Sequence, residues 1–168
     1  MRLTEYTDYT LRVLMYCAAH PGRLVTIAEL AERHGLSKNH LMKIVNALAR
    51  DGLLETTRGR GGGLRLLRAP SAIRIGDVVR HAETDFRLVE CFDAVTDRCT
   101  LTPSCRLKGA LGRALKAYFA ELDAVTLADL VPAHAGKPGR NVVHPVKLVA
   151  RAVRTPAGRR AKAGMAPA

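Results

Sequence analysis

Residues 26–54 carry the sequence TIAELAERHGLSKNHLMKIVNALARDGLL, in which apolar residues recur at helical spacing on both sides of one glycine. Thr26 and Glu29 have the spacing of a capping box, so a first helix is expected to begin directly after Thr26. Gly35 can end that helix because glycine readily adopts a positive φ. Ser37 can cap a second helix, which is expected to continue to the next glycine. Two short helices joined by a glycine turn are typical of a helix-turn-helix unit.

A β-hairpin is predicted directly after the second helix. The run LLETT at residues 53–57 and the run LRLL at residues 64–67 favour strands, and the RGRGGG between them favours a turn. The glycines do not make a phosphate-binding loop, because no Lys-Ser or Lys-Thr pair follows them. A hairpin behind a helix-turn-helix is the wing of a winged-helix domain. The predicted fold class is therefore mainly α with a small β-hairpin wing.

Positive charge is concentrated at the two ends of the chain. Lys and Arg number 27 against 15 Asp and Glu over 168 residues. Residues 1–70 hold 11 basic and 6 acidic side chains, residues 71–136 hold 8 and 9, and residues 137–168 hold 8 and none. This distribution favours a polyanionic partner such as double-stranded DNA. No apolar run approaches the roughly 18 residues that span a bilayer, and no signal peptide is evident. We therefore expect a cytoplasmic protein with reduced thiols and no membrane partner.

The start of the second helix is the predicted DNA-reading element, because a recognition helix places its N-terminal side chains in the major groove. Asn can pair with adenine, and Lys can donate to guanine or to a phosphate. The alternative is that these polar groups only solvate a helix face. The predicted DNA-contacting residues are Ser37, Lys38, Asn39, His40 and Lys43 on the helix, and Arg58, Arg60 and Arg65 on the wing.

Three cysteines, Cys91, Cys99 and Cys105, follow the spacing C-x7-C-x5-C. Thiolates are soft ligands that select zinc, copper(I) or iron–sulfur clusters. A zinc site usually contains a C-x2–4-C pair, which this sequence lacks. A thiol redox switch and buried core cysteines are further alternatives, although the stretch RCTLTPSC is too polar for a typical core. The wide spacing on a loop favours an iron–sulfur cluster, which usually takes four ligands. The distant Cys17 is expected to be a small buried hydrophobe.

The second half of the chain predicts one long helix, from Pro103 to about Ala124, preceded by a shorter one over residues 75–82. The long helix carries a continuous apolar stripe that the rest of the chain offers little to cover. A second copy of the same helix is the simplest cover, so we expect a homodimer that reads a roughly palindromic operator. The chain then divides into a winged helix-turn-helix DNA-binding domain over residues 1–70, a cluster-binding loop and dimerisation helix over residues 71–135, and a basic tail over residues 136–168, predicted to be disordered.

The opening MRLTEYTDYTLRVLMY, the segment that runs from residue 26 to residue 66 and the cysteine spacing together resemble the winged-helix iron–sulfur transcriptional repressors, and among them the nitric-oxide-sensitive ones. The resemblance covers residues 1 to about 131. It implies a homodimer joined by the long C-terminal helix, with one 4Fe–4S or 2Fe–2S cluster per subunit. It implies that Cys91, Cys99 and Cys105 hold the cluster. It further implies a fourth ligand from the other chain, Asp8 of the partner subunit, with Glu5 of the partner subunit as the alternative.

This resemblance also implies a function. The cluster-loaded protein is expected to repress genes for nitric-oxide detoxification and to release its operator when nitric oxide attacks the cluster. An iron-responsive repressor of the same family shares the cysteine spacing and remains an alternative. A cluster-biogenesis repressor fits less well, because Lys108 stands where such proteins have a histidine. A metal-free DNA-binding protein is a third alternative. An enzyme is not expected, because the sequence contains no paired carboxylates and no nucleophile beside a base.

Overall fold

A computed structural model describes residues 2–131 of the protein. The predicted basic tail over residues 136–168 therefore lies outside the described residues. Within the described part, no helix is both long enough and apolar enough to cross a bilayer. The helices are α1 (Glu5–Ala18), α2 (Ile27–His34), α3 (Lys38–Arg50), α4 (Ile75–Ala82) and α5 (Arg106–Ala124), and the strands are β1 (Leu54–Thr57) and β2 (Gly63–Leu66).

Side-chain caps begin the first three helices. The hydroxyl oxygens of Thr4, Thr26 and Ser37 each accept a backbone N–H from the first turn of the helix that follows. These bonds satisfy donors that a helix N-terminus otherwise leaves unpaired. Gly35 ends α2 with a φ of 65° and so allows the chain to turn directly into α3. The helix-turn-helix predicted from the sequence is therefore present, with α3 as its second helix.

One hydrophobic core joins α1 to the helix-turn-helix, the hairpin and α4. Leu14 on α1 and Leu127, which follows α5, are both fully buried in it. The core therefore contains residues from before and after position 70. Its other buried members are Val13, Cys17, Ala18, Val25, Leu30, Leu41, Ile44, Val45, Leu48, Leu54, Leu64, Ile73, Ile75, Val78 and Val79.

A polar link also holds α1 to α2. The Tyr16 hydroxyl donates to Glu29 at 2.7 Å, and the guanidinium of Arg23 pairs with the same carboxylate. Hydrogen bonds from Arg23 and then Tyr16 lower the pKa of Glu29 to about 2. The carboxylate therefore remains charged under all physiological conditions.

The wing is tied to the body of the domain. Its strands pair antiparallel, with Leu54 opposite Leu66 and Glu55 opposite Arg65. Val25, in the segment before α2, exchanges two backbone hydrogen bonds with Leu64, at 2.9 and 2.8 Å. The wing therefore has a third, one-residue partner from outside the hairpin.

The junction of α4 and α5 carries the main polar contact of the long helix with the body. Arg80 donates to both carboxylate oxygens of Asp123, at 2.6 and 2.7 Å, and its guanidinium lies 4.4 Å from the centre of the Phe119 ring. Gly76 faces this pair so closely that a Cβ atom there would lie 1.9 Å from an Asp123 oxygen. The α4–α5 contact is therefore built around a glycine.

The structure corrects the predicted start of the long helix. Thr102–Ser104 form a separate 3₁₀ turn that contains Pro103, and α5 begins only at Arg106. Cys105 is the N-cap residue, and its Sγ accepts the backbone N–H of Lys108 at 3.5 Å. The apolar stripe is also partly covered within the chain, because Phe119 and Leu122 pack against the core.

Candidate nucleic-acid interface and metal ligands

The outward face of α3 is the candidate DNA-reading surface. The side chains of Lys38, Asn39, His40 and Lys43 are exposed, as the sequence predicted for a recognition helix. The hydroxyl of Ser37 serves as the helix cap through its bond with the His40 N–H at 3.2 Å. Ser37 therefore has a structural role in addition to its predicted contact with DNA.

Two residues that the sequence analysis did not select share this face. Met42 and Asn46 are exposed, and they lie three and seven residues after Asn39. At 3.6 residues per turn, such spacing places side chains on one side of a helix. The helical period could therefore have identified both residues, but the sequence analysis considered mainly the first turn.

His40 connects the recognition helix to α1. The ring of Tyr9 lies edge-on to the His40 ring, with 6.2 Å between the centroids. The guanidinium of Arg12 lies 5.8 Å from the centre of the Tyr9 ring, and Arg12 also pairs with Asp8 at 2.7 Å. A continuous set of contacts therefore runs from the carboxylate of Asp8 to the first turn of α3.

The wing presents two of its three predicted arginines freely. Arg58 and Arg60 are exposed at the tip of the hairpin. Arg65 lies on β2 and pairs with the carboxylate of Glu55 across the strands at 2.7 Å, although its side chain is still 59% exposed. Arg65 therefore carries less net charge toward DNA than the two arginines at the tip.

The three candidate cysteine ligands lie on the irregular segment that leads into α5. Cys91 is buried in a short 3₁₀ turn, Cys99 is exposed, and Cys105 is half-buried at the start of α5. All three are free thiols. Among residues 2–131, however, no three His, Cys, Asp or Glu side chains come together as a metal site would require. The single chain thus supplies three soft donors on one segment without bringing them together.

Carboxylates hold the backbone around these cysteines. Asp97 accepts the N–H of Cys99 and the hydroxyl of Thr102, both at 3.0 Å. The Val95 N–H and the guanidinium of Arg87 lower the pKa of Asp93, which lies two residues after Cys91. These carboxylates were not among the residues predicted from the sequence, in which their positions beside the cysteines were the only available indication.

The candidate acidic ligand Asp8 lies in the first turn of α1, and its side chain is 46% exposed. In the single chain its carboxylate is occupied by Arg12, which is four residues further along the same helix. The alternative ligand, Glu5, is exposed at the first position of α1.

Cys17 differs from the other cysteines. It lies in the core with 4% of its surface exposed, and burial raises the pKa of its thiol to about 12. A protonated, buried thiol is a poor nucleophile and a poor metal ligand. The prediction that Cys17 is a small core residue is confirmed.

Known transcriptional regulators match this chain in sequence and in fold. The profile of the Rrf2 family, described as an iron-dependent transcriptional regulator, matches residues 3–133. The HTH-type transcriptional regulator NsrR of Bacillus subtilis is 54% identical over 132 residues, which cover 78% of this chain and 90% of the relative. A crystal structure of a transcriptional regulator from Listeria innocua is 26% identical, covers 77% of this chain and 85% of that chain, and gives a TM-score of 0.64. The structure of IscR from T. potens is 27% identical, has the same coverage of 77% and 85%, and gives a TM-score of 0.60.

Proposed function

The chain belongs to the Rrf2 family of transcriptional regulators, and we propose that it is a DNA-binding repressor controlled by a nitric-oxide-sensitive iron–sulfur cluster. One observation carries the proposal. Three free thiols lie on a single irregular segment that enters α5 directly, in a chain whose other end is a winged helix. The resemblance of the sequence to nitric-oxide-sensitive repressors supports nitric oxide as the signal. A cytoplasmic location, where thiols remain reduced, is part of the proposal.

The chemistry of the donors fits an iron–sulfur cluster, although the described residues of the single chain do not bring three of them together. Cys91, Cys99 and Cys105 would hold it, because thiolates are the usual ligands of cluster iron. A carboxylate from Asp8 of the partner subunit would complete the set, with Glu5 of the partner subunit as the alternative. Such a carboxylate is a harder and weaker ligand for this iron than a thiolate. When bound, the cluster would supply iron that reacts with nitric oxide.

A second copy of the chain is the proposed partner of α5. Leu107 is 63% exposed on the first turn of this helix, and Leu101 on the preceding segment is 66% exposed. A two-fold dimer that buries this apolar surface would place two α3 helices in successive major grooves of a roughly palindromic operator. In this arrangement, the domain over residues 1–70 binds DNA, and residues 71–135 bind the cluster and form the dimer contact.

The contacts around Asp8 provide a physical route between ligand and DNA. A carboxylate that binds iron in the partner subunit must give up or share Arg12, which now holds it at 2.7 Å. Arg12 in turn supports the ring of Tyr9, which contacts His40 in the first turn of α3. A coupling of about 1–3 kcal/mol through this route would change operator affinity by about 5- to 150-fold.

DNA affinity of cluster-loaded, nitric-oxide-treated and apo-protein, measured at one salt concentration, tests the proposal. The loaded protein should bind a palindromic duplex most tightly, and treatment should weaken binding by at least about fivefold. Cys91→Ala, Cys99→Ala and Cys105→Ala should each abolish both the visible absorption of the cluster and tight binding. The matched control Cys17→Ala should retain both, because its thiol lies in the core.

Equal DNA binding by the wild type and a variant that lacks all three loop cysteines would exclude the proposal and favour a metal-free DNA-binding protein. The fourth ligand is tested separately. Asp8→Asn should weaken retention of the cluster, whereas Glu5→Gln should leave it unchanged. The opposite result would assign the ligand to Glu5.

An iron-responsive repressor is the second candidate, because the matching family profile is described as iron-dependent. Removing iron with a chelator in the absence of nitric oxide distinguishes the two signals. If removal of iron releases the DNA while no nitric oxide is present, the iron-responsive alternative is favoured.

A further inference from the structure

Met42 occupies an unusual position on the recognition helix α3. The buried side of this helix consists of Leu41, Ile44, Val45 and Leu48, of which none is more than 4% exposed. Met42 is displaced by roughly 100° around the helix from Leu41, at the border between the buried side and the polar face, and is 43% exposed. Among the described residues 26–54 of the helix-turn-helix, it is the only large apolar side chain that is exposed to solvent.

The neighbours of Met42 are polar and positioned for DNA. Asn39 precedes it by one helical turn, Asn46 follows it by one turn, and Lys43 is adjacent, and all three side chains are exposed. Asn can pair with adenine through two hydrogen bonds, and Lys can bind guanine or a phosphate. An apolar side chain at the edge of such a face has no hydrogen bond to offer a base edge.

The major groove contains one apolar recognition group, the C5-methyl of thymine. A methionine side chain can reach and fit against such a group, because it is unbranched, flexible and polarizable. We propose that Met42 contacts a thymine methyl group and thereby specifies a T·A pair in each half-site of the operator. This proposal rests on the proposed function. Asn39, Lys43 and Asn46 supply the polar contacts on either side.

Replacing thymine by uracil tests this contact directly, because the exchange removes only the methyl group. The probe is a palindromic duplex that the cluster-loaded full chain selects from a random-sequence pool, with each thymine then replaced by uracil in both half-sites. For the wild type, uracil at one position should weaken binding by about fourfold, the effect of about 0.8 kcal/mol for one buried apolar carbon. For Met42→Ala, uracil at that same position should change affinity less than about twofold, because the methyl group has already lost its partner.

Lys43→Ala is the matched control. It should weaken binding to every duplex and reduce the salt dependence, but it should keep the full uracil penalty. Met42→Leu, which preserves an apolar side chain, should keep most of the penalty. Because Met42 is exposed, thermal unfolding should show that Met42→Ala is folded as the wild type is.

Two results would overturn the assignment. One is a wild-type protein that tolerates uracil at every position, and the other is a Met42→Ala variant with the same uracil penalty as the wild type. Both differ from failure of the proposed function, in which a variant that lacks all three loop cysteines would bind the selected duplex as tightly as the wild type does.

Discussion

Gly76 should be required for the contact between α4 and α5, and replacing it tests the packing argument quantitatively. In Gly76→Ala the new Cβ would lie 1.9 Å from an oxygen of Asp123. That oxygen must retreat by about 1.5 Å to reach ordinary van der Waals contact at 3.4 Å. The Arg80 nitrogen that donates to this oxygen lies 2.6 Å from it and 3.1 Å from the same Cβ position, so the retreat lengthens and weakens the hydrogen bond.

The expected cost is limited by the interactions that are weakened. A partly exposed ion pair contributes about 0.2–1 kcal/mol, and an exposed cation–π contact such as that of Arg80 with Phe119 about 0.5–1 kcal/mol. Alanine recovers about 0.4–1 kcal/mol by restricting the unfolded chain. The net destabilisation should lie between about zero and about 1.5 kcal/mol, which lowers the Tm by at most about 6 °C for a chain of this size.

Thermal unfolding of the apo-protein at one fixed protein concentration provides the measurement, since dimer dissociation would make the Tm depend on concentration. Gly109→Ala is the control, because a Cβ there meets only a flexible Arg113 nitrogen at 3.6 Å and should be neutral or slightly stabilising. In an Asp123→Ala background the clash disappears, so Gly76→Ala should no longer destabilise. An equal cost of Gly76→Ala in both backgrounds would refute this reasoning.

Three further predictions follow from the core and from its titratable groups. Leu14→Ala should lower the free energy of unfolding by about 2–5 kcal/mol in urea titrations, because Leu14 is fully buried, whereas Leu67→Ala, at a site 57% exposed, should change it by less than about 0.5 kcal/mol. In the apo-protein at neutral pH, a thiol reagent should label the exposed Cys99. It should label Cys17 only after the protein unfolds, because burial raises the pKa of that thiol to about 12. Labelling of Cys17 in the folded protein, detected by mass spectrometry, would contradict this prediction. Because the pKa of Glu29 falls from 4.5 to about 2 on folding, its charged form stabilises the protein above about pH 4.5, and this contribution is lost as the pH falls toward about 2. Glu29→Gln should therefore lose less stability than the wild type as the pH falls over that range. An equal loss of unfolding free energy in the two proteins would contradict the assignment.

The helix-turn-helix was predictable because its signals are local. The caps Thr26 and Ser37 and the turn residue Gly35 act on their immediate neighbours, and the observed helices begin one residue after each cap. The predicted fold class and family are confirmed by the structure and by the comparisons with known regulators. The predicted start of α5 was wrong, because Pro103 suits the first turn of a helix but here belongs to a separate 3₁₀ turn. The thiol of Cys105 caps α5 instead.

The candidate site was only partly predictable. Which residues can bind metal follows from side-chain chemistry, so the three loop cysteines could be selected from the sequence. Their environment depends on contacts between particular side chains, such as that of Asp97 with Cys99, which no periodic pattern marks. The pairing of Arg80 with Asp123 joins residues 43 positions apart and therefore required the tertiary structure. The cluster ligands and DNA contacts stay predictions for the experiments described above.

The attachment of the wing has a consequence for the thermodynamics of DNA binding. Gly63 lies so close to the backbone of Val25 that a Cβ there would be 2.7 Å from its carbonyl oxygen. Because Gly63 pairs with Thr57 beside the turn, the hairpin is fastened close to its tip and would meet the duplex already shaped. In the proposed contact, the long side chains of Arg58 and Arg60 would then lose most of the freedom. Calorimetry should accordingly show that the wing adds little to the heat-capacity change of DNA binding. A segment that folds on its target would add a large change.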